Sequence, residues 1–341
     1  MSRVPGTPPG APPVTLPRLG FVGVGWIGRR RMGALARSGA AEVAAIVEPS
    51  EERARLALAE APGAVLAPSL EALLASGVDG IVIATPSALH ASQAEAALAR
   101  GKAVFCQKPL GRTAREVARV VRAARRADRL LGVDLSYRYT EGMQRIAEAL
   151  RAGEIGPVYA VELAFHNAYG PDKQWFYDIA QSGGGCVMDL GTHLVDLAMW
   201  TSGSGGCHEL DAKLAAFGKP LAPPIGCVED YASAQWRLDS GASVRMSCSW
   251  RLPAGCDAFI EASFYGTRGG AALRNVGGSF YDFAIERFDG TRRERVAGPP
   301  DAWGGRALVH WAERLAAGER FDPEAGRYVE VARTLDRIYG R

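Results

Sequence analysis

The chain has 341 residues, 48% of them hydrophobic and 23% charged, with a formal net charge of +3. Its length suits about two domains with buried cores, and the interspersed charges leave no basic stripe for a nucleic-acid backbone. No apolar run reaches membrane-spanning length, and the cysteines at 106, 186, 207, 227, 248 and 256 form no C-x-x-C pair, which fits reduced thiols in a cytoplasmic protein and no zinc site.

Residues 1–17 carry six prolines and two glycines but no apolar core of a secretory signal, so a flexible extension is expected there. The apolar run 19–24 then reads as a buried parallel strand that leads into Gly23-Val24-Gly25-Trp26-Ile27-Gly28, a G-x-G-x-x-G turn opening a helix. Gly23 permits the tight turn, Gly25 lets backbone approach a pyrophosphate, and Gly28 lets the helix pack closely, with Trp26 and Ile27 in the same grip. A second strand, 42–47, ends on Glu48, 20 residues past Gly28, where a carboxylate can accept from an adenosine ribose. Helices follow at 51–59, capped by Ser50, and at 70–74, capped by Ser69. Strands at 80–84 and 102–106 end at Thr85-Pro86 and at Gln107-Lys108-Pro109. Thr113-x-x-Glu116 reads as a capping box for a helix whose apolar face is Val117, Val120, Val121 and Ala124, and a strand at 130–135 closes the series. Alternating strands and helices over 18–135 predict an α/β domain, a doubly wound parallel sheet whose strand ends at Gly23, Thr85 and Gln107 share one ligand-binding edge. Arg29-Arg30-Arg31 and Arg125-Arg126 read as solvated helix faces.

Beyond Ser136 the pattern changes. A helix at 141–152 precedes strands at 158–165, 230–238, 243–250, 258–265, 271–275 and 280–288, which predict a second, α+β domain over 136–322 with an open, mainly antiparallel sheet. Helices at 306–317 and 324–339 follow, the last, within 323–341, expected to pack back on the first domain.

Chemistry concentrates on an apolar helix at 186–200 that contains Asp189, His193 and Asp196 after Gly183-Gly184-Gly185. Asp189 and His193 stand i, i+4, so the carboxylate can orient the imidazole and stabilise its charged form. A satisfied buried pair and a catalytic pair both remain open on these residues alone. Cys186, Asp189 and His193 also fall at i, i+3, i+7, but no full ligand set accompanies them and no metal is expected. Arg138, just after the last strand of the first domain, either meets a substrate or pins the junction. The polar and aromatic stretch through His166, Asn167, Tyr169, Lys173, Trp175, Tyr177 and Asp178 suits a sugar, with Trp175 and Tyr177 as candidate contacts, or an interdomain loop.

The glycine turn at 23–28, Thr85-Pro86-Ser87-x-x-His90, Lys108-Pro109 and Gly-Gly-Gly-x-x-x-Asp189-x-x-x-His193, in that order over nearly the whole chain, resemble the Gfo/Idh/MocA oxidoreductases, whose namesakes are glucose-fructose oxidoreductase and inositol dehydrogenase. The resemblance implies a Rossmann domain, a bound nicotinamide cofactor, and hydride transfer at a secondary alcohol or ketone of a sugar, inositol or related polyol. It gives Lys108, Asp189 and His193 catalytic roles and Thr85, Pro86, Ser87 and His90 a place in the cofactor loop, with Ser87 where the family has Asn. Gln107 departs from the family's Glu-Lys-Pro motif: it keeps an oxygen acceptor for ribose but loses the charge. NAD is expected over NADP because Glu48 repels a 2′-phosphate, although Arg53 and Arg29 to Arg31 soften that preference. A homodimer or homotetramer is expected, since the family commonly buries the open sheet face between subunits. Two other readings remain: an enzyme that cleaves glycosides or epimerises through transient oxidation, and a catalytically silent nucleotide-binding regulator.

Overall fold

A computed structural model describes residues 16–203, 205–223 and 225–341, so the Pro-rich extension lies almost wholly outside the described residues. Apolar runs too short for helices form the strands of the first sheet: β1 (Arg18–Val22), β2 (Glu42–Val47), β3 (Val65–Leu66), β4 (Gly80–Ile83), β5 (Ala103–Cys106) and β6 (Leu131–Val133). All are parallel, in the order β3-β2-β1-β4-β5-β6, which reverses direction between β1 and β4. That reversal opens a crevice at the carboxyl ends of the strands, the usual ligand position in such sheets. Helices α1 (Trp26–Ser38), α2 (Glu51–Glu60), α3 (Leu70–Ala75), α4 (Ser87–Ala99) and α5 (Ala114–Ala127) alternate with the strands. Two cores result, one on each face of the sheet, around Ile81, Ile83 and Val104 and around Phe21, Val82 and Phe105.

Caps at Ser50, Ser69 and Thr113 form as the sequence suggests, each accepting from a backbone N–H three residues on. The box at Thr113 is only half made. Glu116 turns away from Thr113 and accepts from the Arg112 N–H at 2.7 Å, because the Arg112 guanidinium lies on the same side.

The second part holds α6 (Glu141–Arg151), β7 (Val158–Asn167), α7 (Ile179–Ser182), α8 (Thr192–Ser202), β8 (His208–Ala216), β9 (Lys219–Leu221), β10 (Tyr231–Arg237), β11 (Ser243–Ser249), β12 (Ala258–Gly266), β13 (Gly269–Asn275), β14 (Phe283–Asp289), β15 (Arg292–Ala297), α9 (Arg306–Ala316) and α10 (Gly326–Ile338). Its strand order is β15-β14-β13-β12-β7-β11-β10-β8-β9, antiparallel except for the parallel pair β7 and β11. The strands alternate buried and open residues, so one face packs on α6 and α8 while the other carries exposed Tyr231 and Phe259. Helix α10 packs on both α5 and α8, and Asp336 accepts from the Ala114 N–H at 2.9 Å. Among the described residues no helix is long and apolar enough to cross a membrane.

Candidate active site

The glycine turn is shaped by close contacts. Gly23 adopts φ 83°, and a Cβ there would lie 2.7 Å from the Ala84 carbonyl oxygen, while a Cβ on Gly28 would lie 2.3 Å from the Gly23 oxygen. Gly25, by contrast, has open space where its Cβ would be, and as the N-cap of α1 it offers no side-chain hydrogen bond. The helix start therefore keeps free N–H donors beneath a gap that a diphosphate fits. Glu48 lies beside it with its carboxylate already engaged: Oε2 accepts from the Val24 N–H at 2.9 Å and Oε1 from the Ser50 N–H at 3.1 Å. Its side chain is 4% exposed, with the Arg53 guanidinium 3.7 Å away. The carboxylate thus braces the loop as well as bordering the ribose position expected from sequence, and Arg53 partly offsets its charge.

Thr85 donates through its hydroxyl to Gln93 at 2.7 Å, and Pro86 and Ser87 start α4 at the lip of the cleft. His90 is buried, its two ring nitrogens each 2.7 Å from a carbonyl oxygen, of Thr85 and of Pro109. It ties together the loops after β4 and β5, a scaffolding part in the cofactor loop. Burial lowers its pKa against the pull of those carbonyls, and Lys108 lowers it further.

The expected Asp189–His193 contact does not form. Residues Val187–Gly191 make a π turn before α8, and the wider turn rotates Asp189 off the face of His193, defeating the i, i+4 geometry of an α-helix. Asp189 instead pairs with Lys108, whose Nζ donates to Oδ1 at 2.6 Å and to the Asp189 carbonyl at 2.7 Å. Its other oxygen accepts from Trp250 Nε1 at 3.1 Å. His193 stands against Tyr137, ring centroids 4.8 Å apart, with Nδ1 buried and unpartnered. Burial first, then Lys108 and Arg31, hold its pKa well below the usual imidazole range. Its neutral form is therefore the stable one, opposite to the charged form expected from the sequence.

The N-terminal end of this segment is held by residues that the sequence reading missed. The buried Glu229 carboxylate accepts from the Gly185 and Val187 N–H groups, both at 2.9 Å, and its carbonyl accepts from Cys186 N–H at 3.1 Å. Tyr339 accepts from Met188 N–H at 3.2 Å and donates to Glu229 at 2.8 Å. The triple glycine exists for this approach: a Cβ on Gly185 would fall 1.8 Å from the Glu229 carbonyl oxygen, and one on Gly184 2.0 Å from the Tyr339 hydroxyl. Small residues at 183–185 were the available signal that something comes close; which residue does so was not readable locally.

Three further expectations need correction. Arg31 is not on a solvated face: it is 7% exposed and its Nε donates to Asp134 at 2.6 Å. Arg138 forms a two-pronged pair with buried Asp196, Nε to Oδ2 at 2.7 Å, so it pins the junction and lies outside the main cleft. Tyr177 spends its hydroxyl on the Pro171 carbonyl at 2.8 Å and packs on Trp250; Trp175 and Phe176, stacked 3.8 Å apart, line the cleft in its place.

One cleft of about 1860 Å³ collects these groups. It runs from Gly23, Gly25, Trp26, Ile27 and Glu48, past Thr85 and Gln107, to Lys108, Tyr137, Trp175, Asp189 and His193. The open helix start at one end and the titratable cluster at the other fit a dinucleotide laid along the strand ends with a small substrate beyond it.

Comparison with known proteins agrees with that geometry. Residues 17–135 match the family described as an oxidoreductase family with an NAD-binding Rossmann fold, and residues 143–272 match the GFO/IDH/MocA C-terminal domain. The rhizopine catabolism protein MocA of Rhizobium meliloti is 29% identical over 257 residues, 75% of this chain and 78% of that protein. An inositol 2-dehydrogenase of Streptomyces avermitilis is 28% identical over 325 residues, 88% of this chain and 90% of its own. Among solved structures, GenD2 from gentamicin A biosynthesis in complex with NAD superposes with a TM-score of 0.79 at 25% identity, covering 99% of this chain and 98% of that one.

Proposed function

The chain belongs to the GFO/IDH/MocA family of NAD-binding oxidoreductases, and from that premise we propose that it moves a hydride between a nicotinamide and a secondary alcohol or ketone of a sugar, inositol or related polyol. The observation that carries this reading is the continuous cleft from the uncapped start of α1 to Lys108 and His193. When bound, the nicotinamide accepts or returns the hydride. In oxidation the hydroxyl proton leaves with that hydride and needs a base; neutral His193 takes it, and in reduction the imidazole returns it to the oxygen. Lys108, fixed by one carboxylate oxygen and the backbone carbonyl of Asp189, donates a hydrogen bond to the same substrate oxygen and stabilises developing negative charge. Asp189 is thus a positioning residue for Lys108. Trp175 presents an apolar face to the sugar's C–H groups.

The division 18–135 for cofactor, 136–322 for substrate and assembly, and 323–341 as a clasp between them follows the same reading, as does a cytoplasmic location. The open sheet face, with Tyr231 and Phe259 exposed, supports a homodimer or homotetramer. A panel of polyols, inositols and keto-sugars, followed at roughly 340 nm with NAD and with NADP, tests the activity. Turnover of at least one such compound, faster with NAD, is expected; no turnover by a protein that binds NADH would overturn the catalytic reading in favour of a regulator.

A further inference from the structure

Trp250, the first residue past β11, does not border the cleft, yet its indole reaches the catalytic cluster from behind. Its Nε1 donates to Asp189 Oδ2 at 3.1 Å, while Asp189 Oδ1 accepts from Lys108 Nζ at 2.6 Å. The two carboxylate oxygens are therefore held by different partners. A carboxylate held at one corner can turn about its own axis; held at both, it cannot.

The indole is itself fixed, being 3% exposed. The Trp250 backbone N–H donates to the Asp230 carbonyl at 2.8 Å and the Leu252 N–H to the Asn167 carbonyl at 2.9 Å, which ties the turn after β11 down on both sides. Between them Arg251 adopts φ 61°, a left-handed conformation that a residue with a Cβ seldom takes and that persists where the surroundings impose it. The rings of Tyr177 and Phe176 meet the indole edge-on, with centroids 5.7 and 6.3 Å away, and Phe176 stacks on Trp175 at 3.8 Å. One part of Trp250 thus supports the aromatic wall of the cleft, and its single N–H holds the carboxylate that holds Lys108.

Resting on the hydride-transfer reading above, we propose that Trp250 is a positioning residue: its indole N–H fixes the Asp189 carboxylate so that Lys108 stays aimed at the substrate oxygen, while its ring carries the wall of Trp175 and Phe176. The same contact helps to keep Asp189 turned away from His193, since it leaves neither oxygen free for the imidazole.

The first test needs no substrate. Lys108 on the full chain is acetylated with acetic anhydride and its rate is read by mass spectrometry against exposed Lys213. Trp250→Phe keeps a ring for the wall and loses the N–H, so Lys108 should label about three- to tenfold faster as its partner loosens. Asp189→Ala should speed labelling at least as much, and adding Trp250→Phe to it should have no further effect, because the indole acts only through Asp189. Unchanged or slower labelling in Trp250→Phe, or a further increase in the double variant, would overturn the proposal. On the members of the polyol panel that wild type turns over, Trp250→Phe should lower kcat about three- to tenfold with KM within about twofold, and Trp250→Leu, which also removes the ring, should raise KM as well. A Trp250→Phe variant with wild-type kcat would refute the positioning role, and a Trp250→Leu variant with wild-type KM would refute the role in the wall. Should Trp250→Phe not fold, Trp250→benzothienylalanine, which keeps the indole shape without the N–H, is read by the same criteria. Labelling that follows the expected pattern in a protein that turns over no member of the panel would refute the hydride-transfer reading and leave the link from Trp250 through Asp189 to Lys108 standing.

Discussion

Replacing Glu229 with alanine should unfasten the segment that carries Asp189 and His193. The carboxylate accepts from the Gly185 N–H, the Val187 N–H and the Tyr339 hydroxyl, and its removal strands three buried donors. Each buried donor left without a partner costs about 1–3 kcal/mol. Part of that is recovered, because burying the carboxylate is itself costly: desolvation raises the Glu229 pKa even though its hydrogen bonds pull it down. A net loss of about 3–5 kcal/mol follows, a large share of an ordinary stability of about 5–15 kcal/mol. Urea unfolding of wild type and variant measures it directly. Glu229→Gln should recover part of the loss, since an amide oxygen in the Oε1 position keeps the Val187 and Tyr339 donors while its NH2 faces the Gly185 N–H. NADH binding, which depends on the first sheet, should survive in both variants at concentrations where they are folded. An alanine variant within about 1 kcal/mol of wild type would refute the claim that this carboxylate holds the segment carrying Asp189 and His193.

The acid–base assignment predicts that Lys108→Met and His193→Ala each cut kcat by about 10²- to 10⁴-fold with NADH affinity nearly intact, as read by steady-state kinetics and fluorescence titration. Asp189→Asn should mimic a mild form of the Lys108 lesion, since Lys108 is its partner. Gly28→Ala should abolish NADH binding by driving a methyl group into the Gly23 carbonyl; retained affinity in a titration would show that the turn yields. Burial holds the pKa of His90 and His193 below the unfolded value near 6.5, so the unfolded chain takes up these protons first as pH falls. Stability is therefore full above about pH 6.5 and is lost below it, by about 1.4 kcal/mol per pH unit per histidine down to each folded pKa. Asp196 and Glu229, whose pKa values are raised, act with the opposite sign as pH approaches theirs. Urea midpoints at pH 7, 6 and 5 check the direction.

The first sheet was legible because its strands are buried on both faces and so read as unbroken apolar runs ending at Gly23, Thr85 and Gln107. In the second sheet the central strands were legible by alternation, but the edges were not. Strand β15, Arg-Arg-Glu-Arg-Val-Ala, and strand β8, with His208, Glu209, Asp211 and Lys213, lie at or next to the margins and carry the charges that discourage edge pairing, so they lack an apolar stripe. The short edge strands β3 and β9 leave too few residues for any period. At the site, Lys108, Asp189 and His193 were found by spacing and by resemblance, yet their pairing was misjudged because an i→i+5 turn leaves no mark in residue periodicity. Asp134 and Glu229 were missed since each meets its partners across long stretches of chain, 103 residues to Arg31 and 44 to Gly185.

The hydroxyl of Tyr339 reaches Met188 across 151 positions, and Asp336 reaches Ala114 across 222. In a polypeptide made from its amino end, Glu229 can hold Gly185 and Val187 well before Tyr339, just past α10, can reach Met188. Closure of the π turn is therefore a long-range step of folding, completed from two parts of the chain that lie far apart in sequence.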